Sequence, residues 1–485
     1  MILLREKPFA FAVVTEHAQS ICHNCIVTPG IRTNIVLKRC SGCKFAHYCS
    51  VQYQKEDFGE HRLQCHMIFA WQSLIPPAEI RLFAQIVLKL MRNEENSATR
   101  SFYDLESGEA LLRSNTLRQL KINAFVKGLM LYFEKSGVNK CSLSTQDLAL
   151  IAARMDFNMS DPMAVSYVSN TCSYAAAIYL KLNWIGHSCW PNCSYFYSGK
   201  DVIIYSLSDE AGLKWSEPPA KLTVSYCPLM YTTAGRQRIL KEIYNVVCSC
   251  SRCLDMEADA KANAVCCQRC TNGIALPEYI TSSGGLHELA LYRCQNSVCA
   301  AVYKPEIFIH VVEEAGKLHE DMCDLIESKH QSGYAPHVKH LIHRYEIMKS
   351  FLPNFNAQRS RLNTEIALLL HSDPGRLWHY SKFELESVNH FYPARHIVHL
   401  LSLVRAAYGY RKAFQDHLFR HTSNCSDELF KQMVSEVARQ LVGEVRKALG
   451  PSDARLFPTY TETLSFLNHL EVIPSFKTVM PLRTL

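Results

Sequence analysis

Residues 186–193 read Gly186-His187-Ser188-Cys189-Trp190-Pro191-Asn192-Cys193, a run in which an imidazole, thiols and a Pro-Asn turn crowd together. Outward from it lie DVIIYSL at 201–207 and KLTVSY at 221–226. Both are rich in β-branched and aromatic residues and are bounded by Gly, Pro and Ser, so both read as strands. Taken singly, His187 reads as a satisfied core histidine and Tyr226 as a packed core tyrosine. Ser188 reads as a turn residue, because no base is paired with it in sequence. Their company makes them informative. Downstream stand Tyr244 and then Cys248-Ser249-Cys250-Ser251-Arg252-Cys253. That C-x-C-x2-C run offers three thiolates, and a tetrahedral zinc needs a fourth from elsewhere in the chain.

The whole chain frames this reading. It has 485 residues, 48% hydrophobic and 20% charged, with a formal charge of +7. This is ordinary globular composition, which excludes disordered and collagen-like classes, and the length suits about two to four domains. No apolar run approaches the roughly 18 residues of a membrane span. Arg5, Glu6 and Lys7 interrupt the N-terminus where a signal peptide needs its apolar core, so no secretory signal is expected. The expected compartment is therefore reducing, nucleus and cytoplasm. There, 21 cysteines, all but Cys323 and Cys425 lying before residue 300, read as metal ligands rather than disulfides. The mild positive charge does not demand nucleic acid. With neither a basic recognition helix nor tandem fingers, direct DNA binding is not expected. Nothing reads as a coiled coil, and a monomer is expected.

Two further cysteine clusters carry regular spacing. The first is Cys22-x2-Cys25, Cys40-x2-Cys43, then Cys49, His61 and Cys65, two knuckles and a His-x3-Cys ending that specify two interleaved zinc sites. The segment lacks the large apolar residues of a core and needs metal to fold. The second pairs Cys267-x2-Cys270 with Cys294-x4-Cys299, with Cys266 as an alternative first ligand. Between and after them the period is helical. Ile80, Phe83, Val87 and Leu90 form one stripe behind Pro76 and Pro77, and Val311, Ala315, Leu318, Met322 and Leu325 form another. Ile397, Leu401, Val404 and Tyr408, then Val434, Val437, Leu441, Val445 and Ala448 before Gly450-Pro451, continue the pattern.

CHNC…CSGCKFAHYCSVQYQKEDFGEHRLQC at 22–65 resembles a MYND zinc finger, and Cys267 to Cys299 resembles a zinc ribbon. GHSC-W-PN resembles the N-H-S-C-x-P-N segment of SET-domain protein methyltransferases. Leu222-Thr223-Val224-Ser225-Tyr226 is similar to their tyrosine-ended strand, and Tyr244 with CSCSRC to their pre-cysteine aromatic and post-SET zinc knot. Order and spacing together identify the chain with the SET-and-MYND-domain (SMYD) family. The resemblance implies an α+β architecture. It comprises a first SET remnant over 1–21, a MYND finger over 22–65, a helical SET insert over 66–164 and a SET core over 165–247. A post-SET region with a zinc ribbon follows over 248–304, then an all-α, TPR-like C-terminal domain over 305–485.

The resemblance also implies roles. S-adenosylmethionine would give its methyl to a substrate lysine through a narrow channel, with Tyr226 beside the transferring methyl and Tyr244 lining the lysine channel. His187, Asn170 and Tyr244 match cofactor contacts, and Cys189 completes the knot of Cys248, Cys250 and Cys253. Cross-braced pairing assigns Cys40, Cys43, His61 and Cys65 to one finger site. Cys22, Cys25 and Cys49 fall to the other, whose fourth cysteine is here Tyr53; water, His23 or His47 fills that place, or the site is weak or empty. About three zinc ions are expected.

Four departures run against the family pattern. The chain opens on MILLREKPF, similar to the end of the first SET half, so the glycine-containing strand pair before it is expected to be missing. Gly186 stands for the Asn that contacts adenine, Pro218-Pro219-Ala220-Lys221 for a Gly-Glu, and Tyr53 for the finger cysteine. Two functions follow: a lysine methyltransferase acting on histone or other proteins, or a catalytically weak or inactive zinc adaptor whose finger binds proline-rich peptides as a transcriptional co-regulator.

Overall fold

The computed structural model describes residues 2–26, 35–71, 74–92, 102–138, 142–162, 173–207, 213–216, 219, 221–281, 287–327, 334–370, 373–393, 395–399, 401–402 and 405–406. Asn170, Pro218, Ala220 and the helical stripe from Val434 to Ala448 lie outside them, as do Val404 and Tyr408.

Two short N-terminal strands are built into the core. Strand β1 (Ile2–Glu6) and β2 (Ala10–Val13) precede the finger, which contributes β3 (Lys38–Arg39), β4 (His47–Tyr48) and helix α1 (Val51–Ala70). Ser50 caps α1, its hydroxyl accepting from the Tyr53 amide at 3.1 Å. Helices α2 (Ala78–Met91), α3 (Glu109–Ser114), α4 (Thr116–Lys135) and α5 (Thr145–Asn158) form the insert. Pro77 is the cap of α2, and Phe83, Val87 and Leu90 are buried as the stripe predicts. Phe125, Leu129 and Ile151 from α4 and α5 close the same core over β2.

The β-rich part follows: β5 (Ala175–Ile178), β6 (Gly186–His187), β7 (Cys193–Ser198), β8 (Asp201–Ser206) and β9 (Thr223–Val224). Its small sheets run β1-β8-β7, β2-β5 and β6-β9. DVIIYSL is a strand as expected, whereas only Thr223–Val224 of KLTVSY pairs in a ladder, parallel to Gly186–His187. Chain entry and core are thus interleaved: Leu4 faces Ile204 and Ala10 faces Ile178, both antiparallel. Helices α6 (Thr233–Tyr244), α7 (Ser251–Leu254) and α8 (Met256–Ala262) lead into a four-stranded meander. It comprises β10 (Val265–Cys266), β11 (Ile274–Thr281), β12 (His287–Cys294) and β13 (Val302–Tyr303).

Helices α9 (Glu306–Glu327), α10 (Tyr334–Met348), α11 (Ala357–Leu369) and α12 (Pro374–Phe391) complete the described chain. Ala315, Leu318 and Met322 of the predicted stripe are buried against Tyr345, Leu362 and Ile366. The architecture is α+β with a finger, a SET-type core and a helical C-terminal part, as the sequence implies. Among the described residues no helix is long and apolar enough to cross a membrane.

Polar ties dock the finger on the core. Asp57 of α1, itself buried, accepts from the Tyr48 hydroxyl at 2.7 Å and pairs with the Lys200 ammonium. Lys200 sits in the β7–β8 turn beside Gly199, whose φ of +63° suits glycine. A Cβ on Gly199 would approach the Cys25 carbonyl oxygen at 3.4 Å, so the turn lies directly on a finger knuckle. From α2, buried Arg81 donates to the carbonyls of Pro76 at 2.9 Å and Val13 at 2.5 Å, with its guanidinium 4.7 Å from the Phe45 ring centroid. Removing one partner of a buried ion pair leaves the other charge unpaired. Asp57→Asn is therefore expected to cost about 3 kcal/mol in urea unfolding of the zinc-loaded chain. Adding Lys200→Met should give a double variant less destabilised than the sum of the singles. Additive losses would show that the pair does not dock the finger.

Candidate functional site

The GHSCWPN segment is stitched to the strand that ends in Tyr226. Beyond the β6–β9 pairing, the Ser188 amide donates to the Val224 carbonyl at 3.0 Å. The Asn192 side chain bridges back, accepting from the Thr223 amide at 2.9 Å and donating to the Lys221 carbonyl at 2.8 Å. Asn192 thus ties the turn that leads into β7 to the start of β9. Ser188 is a turn residue, its hydroxyl accepting from the Trp190 amide at 3.0 Å.

This stitching fixes His187 and Tyr226 relative to each other. His187 Nδ1 accepts from the Tyr226 amide at 3.0 Å, leaving the proton on Nε2, which lies 3.2 Å from Cys189 Sγ. Burial first, then the Arg236 charge, pushes the imidazole down to about 4, so it is neutral at physiological pH. Both ring nitrogens are engaged within the fold, and His187 does not line the neighbouring cavity. The Tyr226 hydroxyl donates to the Ile185 carbonyl. Its ring lies 5.1 Å from that of Tyr244, which meets Phe157 edge-on at 6.0 Å. Burial raises the Tyr244 phenol.

Tyr226 and Tyr244 open onto a cavity of about 650 Å³, which Asn158, Asp161, Asn183 and Tyr195 also line. The first two come from the end of α5 and the turn after it, elements that sequence reasoning assigned only to the helical insert. Asn158 is held in place, donating to the Glu106 carbonyl at 2.7 Å while its own carbonyl accepts from Asn183 at 3.0 Å. No local motif marks these asparagines; they meet the tyrosines only through folding. A Cβ added at Gly186 would meet nothing within 4 Å.

Cysteines converge as zinc requires. A tetrahedral ion with bonds of about 2.3 Å to sulfur sets its thiolates roughly 3.8 Å apart. Cys40–Cys65 and Cys267–Cys299 are each 3.8 Å apart, Cys270–Cys294 3.7 Å and Cys189–Cys253 3.5 Å. In the finger, Cys43 Sγ lies 3.5 Å from His61 Nε2. Three sets of four result: Cys40, Cys43, His61 and Cys65; Cys189, Cys248, Cys250 and Cys253; and Cys267, Cys270, Cys294 and Cys299. The last set uses Cys267 rather than Cys266. Glycines leave room for the sulfurs. A Cβ on Gly273 would lie 2.4 Å from Cys270 Sγ, and one on Gly42 2.9 Å from Cys65 Sγ. Cys22, Cys25 and Cys49 form a set of three.

One residue that sequence reasoning missed marks the Cys189 set as a charged centre. Arg236 of α6 is only 2% exposed, and its Nη2 donates to Thr233 Oγ1 at 3.0 Å and approaches Cys253 Sγ at 3.8 Å. Its Nε has no hydrogen-bond partner, and no described carboxylate is salt-bridged to it. A buried guanidinium needs a counter-charge, and four zinc thiolates, net dianionic, supply one. Cys227 adds a further sulfur, grouped with His187 and Cys189. Metal analysis of the full chain should find about three firmly held zinc ions. Arg236→Met is expected to weaken the Cys189 site by about 10–100-fold in chelator competition, the range for removal of an outer-shell partner, with the other two sites unmoved. Unchanged competition would show that the guanidinium does not serve the metal.

Comparison with known proteins agrees with this layout. The MYND finger family matches residues 22–65. Histone-lysine N-methyltransferase SMYD3 of Mus musculus is 26% identical over 53% of this chain and 57% of its own length. N-lysine methyltransferase SMYD2 of Gallus gallus is 26% identical over 46% and 49%. SET domain-containing protein 14 of Caenorhabditis elegans is 24% identical over 56% and 59%. The chain spans about half the length of the curated relatives it matches. With the finger at 22–65, the stitched tyrosine site and the thiolate knot that closes it, the chain carries a MYND finger and is similar over about half its length to SET-and-MYND-domain proteins.

Proposed function

We propose that the chain is an S-adenosylmethionine-dependent protein-lysine N-methyltransferase, working on histone or other protein lysines in the nucleus and cytoplasm. The observation that carries this reading is the aromatic cavity of Tyr226, Tyr244 and Tyr195, with Asn158, Asn183 and Asp161 on its walls. The cofactor supplies a methyl group on a cationic sulfonium. Both it and a lysine ammonium suit a site of π faces, carbonyl and carboxylate oxygens. Tyr226, which lines the cavity, is held by its hydroxyl's hydrogen bond to the Ile185 carbonyl. Tyr244, braced by Phe157, narrows the passage that an extended lysine would occupy. Alignment in such a passage is worth several kcal/mol of barrier. His187 acts at one remove, as a neutral imidazole that orients the Tyr226 backbone. The relatives' names as lysine methyltransferases support the same chemistry.

A second reading, the peptide-binding adaptor, is supported by exposed apolar residues on the finger helix. Val51 and Phe58 are spaced to share a face of α1 and are 61% and 56% exposed. Calorimetry separates the two: the zinc-loaded chain is expected to bind S-adenosylmethionine, whereas no binding at millimolar cofactor would favour the adaptor. Because space is open at Gly186, Gly186→Asn should be accommodated without loss of stability. It is expected to tighten cofactor binding by about 1–3 kcal/mol, the contribution of one well-placed hydrogen bond to a charged or buried partner. Tyr226→Phe should bind cofactor normally and lose about 10²–10³ in transfer rate, the range for one lost electrostatic donor. Unchanged transfer would remove Tyr226 from the chemistry.

A further inference from the structure

We propose that Cys22, Cys25 and Cys49 form an open three-thiolate zinc site in the finger, its fourth position taken by an exchangeable nitrogen or sulfur donor from outside the chain. Cys25 and Cys49 Sγ lie 3.5 Å apart, and the three sulfurs fall within 4.8 Å of one another, as a shared ion requires. Among the described residues, no fourth ligand joins the set. His23 is buried and its Nε2 is engaged by the Ala18 carbonyl at 3.1 Å, with its ring edge-on to Phe45. His47 Nδ1 is engaged by the Phe45 carbonyl at 2.8 Å. One nitrogen of each candidate histidine is engaged by a backbone carbonyl, and neither histidine falls within the thiolate set. The nearby Glu56 carboxylate is held by Asn24 at 3.1 Å and Gln52 at 2.9 Å. Residues 27–34, VTPGIRTN, contain no Cys, His, Asp or Glu. Tyr53 presents a phenol, protonated at neutral pH and a poor zinc ligand beside thiolates.

A second observation shows where an outside donor would enter. Cys25, Asn24 and Tyr53 border a cavity of about 800 Å³ between the finger and the β7–β8 turn. An outside donor would reach an ion at this set from the Cys25 side. Open zinc positions exchange ligands, whereas four-ligand structural sites are closed. Its cross-braced neighbour, whose His61 borders the same cavity, differs in having four ligands, Cys40, Cys43, His61 and Cys65. The inference stands apart from the methyltransferase reading, since it concerns only the finger.

The test uses the full zinc-loaded chain and two variants. Titration with a chelator of intermediate strength should strip one ion ahead of the three four-ligand sites, or find that place only partly filled as purified. Refilling it with Co²⁺ should produce thiolate-to-cobalt absorption whose visible d–d bands shift when imidazole or a small thiol is added. Tyr53→Cys, on an exposed helical surface, should hold the extra ion at least about tenfold more tightly and make the spectrum insensitive to imidazole. Tyr53→Phe should behave as the parent chain. Three results would overturn the proposal: no cobalt at this set, parent bands indifferent to imidazole, or loss of the site in Tyr53→Phe, which would make the phenol a ligand.

Discussion

Four thiolates drawn to one point hold together the segments from which the candidate active site is made. Cys189 belongs to the turn that carries His187, while Cys248, Cys250 and Cys253 follow the helix that carries Tyr244. Short loops of this kind bury too little apolar surface to settle on one conformation. A shared ion fixes them, and the surrounding polar groups keep the geometry. Gln237 brackets Cys248 by both its amide and its carbonyl, and Arg252 donates to the carbonyls of Cys189, Leu229 and Phe391. Through Phe391 the knot reaches the C-terminal helices, so the site and the helical part share one buried cluster with Val388 and Tyr392.

Charge balance runs through the same point. Arg236 sits buried against Cys189 and Cys253 and meets only neutral oxygens elsewhere. His187 is kept neutral by burial and by that guanidinium. It can therefore accept from the Tyr226 amide while presenting its Nε2 proton to sulfur. Thiolates, arginine, imidazole and the Tyr226 amide thus form one continuous chain of polar contacts.

The finger is attached by a different logic. Its apolar contact with the β-rich part is a small cluster in which Ile26 meets Val13, Tyr174 and Ala175. It is tied there by the Asp57–Lys200 pair, by the Arg81 guanidinium over the Phe45 ring, and by the close approach of the β7–β8 turn to Cys25. Polar docking of this kind is directional and leaves a wide cavity alongside. That cavity leads to the Cys25 side of the three-thiolate set.

Much of this was written locally. Zinc knuckles depend on cysteines a fixed few residues apart, because one tight turn must deliver two sulfurs to one ion. The finger, the knot and the ribbon were therefore legible from spacing, as were the helical stripes at Phe83 and Leu318, which follow from the 3.6-residue period. Other features depended on residues far apart in sequence. Asn158 at the end of a helix meets Tyr226 and Tyr244 only after β5 to β9 have folded between them. Arg236 gains its meaning from Cys189 and Cys253, neither of which lies in its own helix. The ring of His187 meets the Tyr226 amide and a sulfur, contacts set by the parallel pairing of Gly186–His187 with Thr223–Val224. Sequence alone determined which residue types could bind metal and where helices bury a face, since both are matters of short-range spacing. Only tertiary structure decided which groups share a cavity and which charges offset one another, since long-range contacts follow from packing that no local pattern records.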